Sequence, residues 1–250
     1  MTRLLLVPLL LLAGVGAASA ETLKVLTAGA YKPVLLDVLT DFEKQTGHKV
    51  TVINDTAGAL SQRVRTGEAF DVLVLPTTSM EALAAEGRVT DDSVTPLAKV
   101  GIGVVVSLSA PQPNIGTTEA LRRTLLDARS VAYIDPASGG TSGIYVARMF
   151  QQLGIASQMQ TKSVLVRGGL AAERVARGEA EMALQQASEL RLVPSVRFAG
   201  MLPPGVQNYT IYAGALSPAA RQKQAALELM SALTEPGVEP VLRKRGLEYP

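Results

Sequence analysis

The 250-residue chain has no cysteine and no tryptophan, only one histidine, and 4% aromatic residues. Without cysteine there can be no disulfide, thiolate nucleophile or thiolate metal site, and no residue to carry a thioether-linked lipid. The one histidine, His48, comes directly after Thr46-Gly47, a helix stop, and reads as a solvated connector. Neither a histidine-based triad nor a histidine-ligated metal cluster is then available. No metal or cofactor is expected. The low aromatic content excludes a stacking platform for bases or sugars. Charge of one sign is lacking too: 24 basic side chains face 22 acidic ones, a formal net charge of +2. So balanced a chain is not built for nucleic acid or an anionic membrane.

Long apolar runs are confined to the start. Arg3 forms a positive n-region, Leu4 to Leu12 an apolar stretch broken by Pro8, and Ala18-Ser19-Ala20 an A-x-A cleavage site, so residues 1–20 read as a secretory signal peptide. Cleavage after Ala20 predicts an exported, periplasmic protein. No later run is long enough to span a bilayer.

Beyond the leader the chain alternates regularly. Leu23-Lys24-Val25-Leu26-Thr27 reads as a strand, Ala28-Gly29-Ala30 as a tight turn, and Val34, Leu35, Val38, Leu39 and Phe42 recur at helical spacing. Two more strand-turn-helix units come next. One places Thr56-Ala57-Gly58 after the strand from Lys49, and the other is built on the continuously apolar Val72-Leu73-Val74-Leu75. Three such units predict an α/β fold with a parallel sheet, whose ligands sit at the C-terminal ends of the strands.

The second half offers its own turn at Asp135-Pro136-Ala137-Ser138-Gly139-Gly140-Thr141-Ser142-Gly143, between an apolar strand ending at Ile134 and a helix carrying Val146, Met149 and Phe150. Glycines allow a tight turn, and the hydroxyls of Ser138, Thr141 and Ser142 stand where a helix begins. Two functions are open to them: capping a structural helix, or joining unpaired N–H groups around a small anion. Further on, Arg167-Gly168-Gly169 is a fourth turn and Met182-Ala183-Leu184 a short strand ending in Gln185-Gln186. Strand alternation turns one glutamine of that pair toward a cleft, taken to be Gln186. The strands around Gly101 and Tyr212 are read as crossings between two α/β units.

These pieces together carry a family resemblance. Val25-Leu26-Thr27-Ala28-Gly29-Ala30, Phe42-Glu43-Lys44-Gln45-Thr46-Gly47, Gly67-Glu68-Ala69-Phe70-Asp71-Val72, Asp135-Pro136 with Gly143-Ile144-Tyr145, and Val175-Ala176-Arg177-Gly178-Glu179-Ala180 resemble, in order and spacing, the periplasmic molybdate-binding proteins among the extracellular solute-binding proteins of ABC importers. The resemblance implies a two-lobed periplasmic-binding-protein fold of type II, with two α/β lobes joined by two crossing strands. It places 21–102 and 210–250 in lobe 1 and 103–209 in lobe 2. It further implies a monomer that closes on a small anion and hands it to an ABC permease in the inner membrane.

The expected ligand-binding set is Gly29, Ala30, Tyr31, Ala57, Gly58, Ser138, Thr141, Ser142, Arg167, Gly168 and Gln186. This chain departs from the molybdate binders at Ala30, where they have serine, at Ala57-Gly58, where hydroxyls dominate, and at Gln186, where a tyrosine aligns. Each hydrogen bond to a charged group contributes about 1.5–3 kcal/mol, so these changes bear on which anion fits, a molybdate-like oxyanion or a small carboxylate. Gln185-Gln186-Ala187-Ser188-Glu189-Leu190 looks like a subgroup similar to aconitate isomerase, built on the same scaffold. Isomerising an allylic acid needs a base beside a carbon acid, and Tyr31, Tyr145 and Glu189 are the candidates. Glu173, Glu179 and Glu181 read as a solvated face.

Overall fold

The computed structural model describes residues 20–250; the leader, but for Ala20, lies outside the described residues. The chain opens with β1 (Thr22–Ala28), α1 (Lys32–Thr46), β2 (Lys49–Asp55), α2 (Ala57–Arg65), β3 (Val72–Pro76) and α3 (Thr77–Ala85). β1 pairs in parallel with both β2 and β3. Val72, Leu73, Val74 and Leu75 are all fully buried, as a central strand covered on both faces requires. The left-handed Gly47 ends α1, its N–H on Glu43 O.

β4 (Thr95–Ser107) then runs out of this sheet into a second one. The second half adds α4 (Thr118–Asp127), β5 (Val131–Ile134), α5 (Thr141–Gln152), α6 (Ala156–Gln160), β6 (Ser163–Val166), α7 (Ala172–Ala176), β7 (Met182–Gln186), α8 (Ala187–Leu190) and β8 (Val196–Met201). β9 (Tyr209–Leu216), α9 (Lys223–Thr234) and α10 (Glu239–Arg245) complete the chain. The strand order is β2-β1-β3-β9-β4-β7-β5-β6, with β8 also on β4.

β4 is shared. Its residues Thr95 to Gly101 pair with β9, and Ile102 to Val106 pair with β7. The return passage is the stretch 202–208 between β8 and β9, not the strand around Tyr212. Tyr212 lies mid-β9, opposite Pro76 and Ala98. At the crossing the Gln207 amide closes on the backbone of Ile102, accepting from its N–H at 2.9 Å and donating to its C=O at 3.0 Å. Gly101 leaves room for this, since a Cβ there would lie 3.1 Å from Gln207 Cδ. One side chain thus ties the two adjacent crossing segments together.

His48 also differs from the sequence expectation. It is buried, accepts a hydrogen bond from Glu21 N–H at 3.0 Å and packs 5.9 Å from the Phe42 ring. The connector before β2 is short enough to fold the imidazole under α1, where it ties down the N-terminal residues.

The placement of α5 depends on Gly143. A methyl group there would overlap the carbonyl oxygen of Ile134, because the helix begins directly against the end of β5. Gly143→Ala should therefore cost about 3 kcal/mol or more, read as a lower urea midpoint at unchanged m-value. An unaltered midpoint would mean that α5 can lift away from the sheet freely.

Candidate functional site

Four helices begin at one cavity of about 440 Å³: α1, α2, α5 and α8 all send residues from their first turn or cap into its wall. From the first half come Gly29, Ala30, Lys32, Asn54, Thr56 and Ala57. The second half supplies Gly140, Thr141, Ser142, Gln185, Gln186 and Glu189. Strand C-terminal ends from both sheets meet here, which is why the turns cluster.

Three of the four starts, those of α1, α5 and α8, carry no side-chain cap. α5 has Gly140 as N-cap with no side-chain cap, and α1 begins at Tyr31 with none either. Thr141 and Ser142 occupy the first turn, whose N–H groups have no partner within the helix. Ser142 is 2% exposed and its hydroxyl makes no hydrogen bond among the described residues, while lining the cavity. α2 is capped by Thr56, whose Oγ1 accepts from Ala59 N–H at 3.2 Å and donates to Ser138 O at 2.5 Å.

The second of those bonds joins the two halves. Beside it Gly58 N–H donates to Gly139 O at 3.1 Å. The backbones touch so closely that a Cβ on Gly58 would lie 2.8 Å from Gly139 Cα. A further link runs from Ser188 Oγ to Ala30 O at 2.8 Å. The cleft is thus closed by main-chain contacts on either side of it.

Of the expected residues, Gly29, Ala30, Ala57, Thr141, Ser142 and Gln186 line the cavity. Five lie elsewhere. Tyr31 is wholly buried in the core, its hydroxyl without a partner among the described residues. Gly58 and Ser138 serve the contact between the halves, with Ser138 Oγ turned back to Asp135 O at 2.7 Å. Arg167 and Gly168 are exposed beyond the rim, because α7 starts at Ala172 and the turn runs longer than its glycines imply, so Gly169 and Leu170 reach the cavity instead. The arginine of the wall is Arg245, from the end of the chain, held by Asp37 at 2.7 Å. Nothing in the local sequence of α10 could have announced it.

Gln186 offers less than two free donors. Its Nε2 already donates to Thr141 Oγ1 at 2.7 Å, and the Tyr212 phenol is hydrogen-bonded to the same Thr141. Alternation turns Gln185 away: its Oε1 accepts from Ala171 N–H at 2.8 Å and its Nε2 donates to Gly169 O at 3.0 Å. It still borders the cavity. Tyr145, one of the possible bases, donates to Val206 O at 2.8 Å outside it. Burial holds the phenols of Tyr31 and Tyr212 far above their ordinary range, so both stay neutral.

Glu189 stands apart from these. It is 9% exposed, lines the cavity, takes part in none of the ion pairs among the described residues, and presses its Oε1 where a side chain at position 29 would be. Only glycine at 29 lets it approach. Burial pushes its carboxyl from an ordinary 4.5 up to about 8, against a smaller opposing hydrogen bond from Gln185.

Known proteins share both this cleft-forming architecture and much of the sequence. The model of the bacterial extracellular solute-binding protein family matches residues 23–248, and the chain belongs to that family. It is 31% identical over 238 residues to the aconitate isomerase of Pseudomonas sp., covering 93% of this chain and 89% of that protein. It is also 29% identical over 179 residues to the molybdate-binding protein ModA of Azotobacter vinelandii, covering 70% and 68% respectively. Among solved structures, the periplasmic molybdate-binding protein of Azotobacter vinelandii superposes with a TM-score of 0.76 at 20% identity over 91% of this chain and 99% of that one. The fold is therefore the two-lobed α/β architecture of periplasmic binding proteins.

The Glu189 carboxyl links stability to pH with a definite sign. The unfolded chain releases this proton near the ordinary value of 4.5 and the folded chain near 8. Between these limits a rise in pH favours the unfolded state by about 1.4 kcal/mol per unit. Relative to wild type, Glu189→Gln should gain melting temperature from about pH 5 to about pH 8 and level off above. A difference that does not change with pH would show a carboxyl that is ionised throughout.

Proposed function

We propose that the protein is a periplasmic receptor of an ABC importer that closes two lobes over a small anion and delivers it to a permease in the inner membrane. The observation that carries this reading is the convergence of uncapped helix starts and the unpartnered Ser142 hydroxyl on one cavity shared by both halves. Peptide N–H groups at those starts favour negative charge, and Lys32 and Arg245 stand in the same wall. The lobes are taken as 21–102 with 210–250, and 103–209, hinged at Gly101–Ile102 and at 202–208. In support, one hydrophobic core gathers residues from 23 to 100 and 212 to 247 with Ala187, and two others gather residues from 102 to 206. The working unit is a monomer, and residues 1–20 are its export signal.

Of the two ligand classes, the cavity favours a small carboxylate over a molybdate-like oxyanion. Its volume of about 440 Å³ is the share of roughly fifteen water molecules, far more than five heavy atoms need. Pro33, Leu36, Leu170 and Leu192 line part of it, offering apolar surface to a carbon skeleton.

A second reading is an isomerase of the aconitate type, favoured by Glu189. Of Tyr31, Tyr145 and Glu189, it alone borders the cavity, with a carboxyl that forms no ion pair among the described residues.

Ser142→Ala and Gln186→Ala should each weaken binding at least about tenfold by titration calorimetry, with the free protein still folded. The ligand is to be found first by a thermal-shift panel of molybdate, tungstate, sulfate, phosphate, citrate and both aconitates. A ligand at a hundred times its Kd adds about 2.7 kcal/mol. Silence across the panel, or wild-type affinity in both variants, would overturn the receptor reading at this cleft. Incubation with trans-aconitate followed by chromatography decides the second reading: steady formation of cis-aconitate supports it, and none removes it.

A further inference from the structure

An acid inside an anion cleft opposes the cleft's purpose if it is ionised. No cation pairs with Glu189 within 4 Å among the described residues. On the side of α1, Lys32 keeps its charge but directs Nζ to the Asn54 amide oxygen at 3.1 Å, and from α10 the Arg245 guanidinium is paired with Asp37. Asp55, at the end of β2, pairs with Arg63 at 3.7 Å and adds no positive charge. β9 presents the neutral Tyr212 phenol, β7 presents the Gln185 amide, and the part of β4 beneath α8 is apolar from Ile102 to Val106. Glycine at position 29 leaves the space that the carboxyl occupies at the cavity wall.

We propose that Glu189 recognises the ligand in its acid form, donating its O–H to a ligand carboxylate, so that the closed cleft binds an organic anion together with one proton. The proposal rests on the receptor reading above and deepens it. A second negative charge at hydrogen-bond distance disfavours the ionised acid further, so the proton is held more tightly in the complex than in the free protein. Free Glu189 carries its proton below about pH 8. Above that, each binding event must take one up, and affinity falls about tenfold per pH unit. Ligands without an acceptor for this proton lose the contact, which makes Glu189 a specificity determinant as well as a proton carrier.

The test is titration calorimetry of the full-length mature protein with trans-aconitate and with citrate, from about pH 7 to about pH 9.5, in buffers of different ionisation enthalpy. Wild type should show a Kd steady to about pH 8 and rising about tenfold per unit beyond. Proton uptake should climb toward one per ligand over the same range. Glu189→Gln keeps an N–H donor but cannot titrate, and should bind with no pH dependence and no proton uptake. A wild-type Kd that stays flat without proton uptake, or a variant that follows the wild-type curve, overturns the assignment of Glu189 alone. If the variant fails to fold, proton uptake by wild type decides. Absence of binding by both probes and by molybdate at every pH overturns the receptor reading together with it.

Discussion

The arrangement depends on peptide groups that the helices themselves cannot satisfy. An α-helix leaves its first N–H groups without partners, and most helices meet that need with a side-chain cap. α5 does not: its N-cap is Gly140, and the residues after it, Thr141 and Ser142, open onto the cavity. One such end is weak. Several aimed at one shared cavity make a cleft whose peptide dipoles favour negative charge, beside Lys32 and the Asp37-paired Arg245 in its wall.

Enclosure results from how closely the two halves approach. Gly58 and Gly139 meet backbone to backbone, with Thr56 reaching Ser138 beside them and Ser188 of α8 reaching Ala30. Contacts between glycine backbones carry no side-chain bulk, so they can form only when both loops come fully together. Opposite them the Gln207 amide keeps the two crossing segments in register at Ile102. The two halves are thus tied by the Gln207 amide at the crossing and by backbone contact at the cleft.

Glu189 gives this cleft a chemistry of its own. Helix ends and hydroxyls are common to any small-anion site, but a buried acid without a cation beside it sets limits on what can enter. The family to which the chain belongs is one of solute-binding proteins, and one relative on the same scaffold is an aconitate isomerase.

The sequence by itself determined the α/β alternation, because apolar periodicity and glycine stops are local. Val72 to Leu75 and the strand to helix turn at 135–143 are both legible from neighbours along the chain. It also singled out Thr141, Ser142 and Gln186, since turn residues at strand ends are where such sheets hold ligands. What it could not reveal was direction and distance. Tyr31 comes after a cleft turn yet packs inward, Arg167 ends a strand yet points beyond the rim, and His48 folds under a helix instead of into water. Arg245 arrives from the far end of the chain, and Glu189 becomes an unpaired acid only when Gly29, a hundred and sixty positions earlier, lies against it. Local propensity arises from backbone sterics and the spacing of apolar residues. Burial, pairing and proton affinity depend on which distant atoms share a space, and only the tertiary structure decides that.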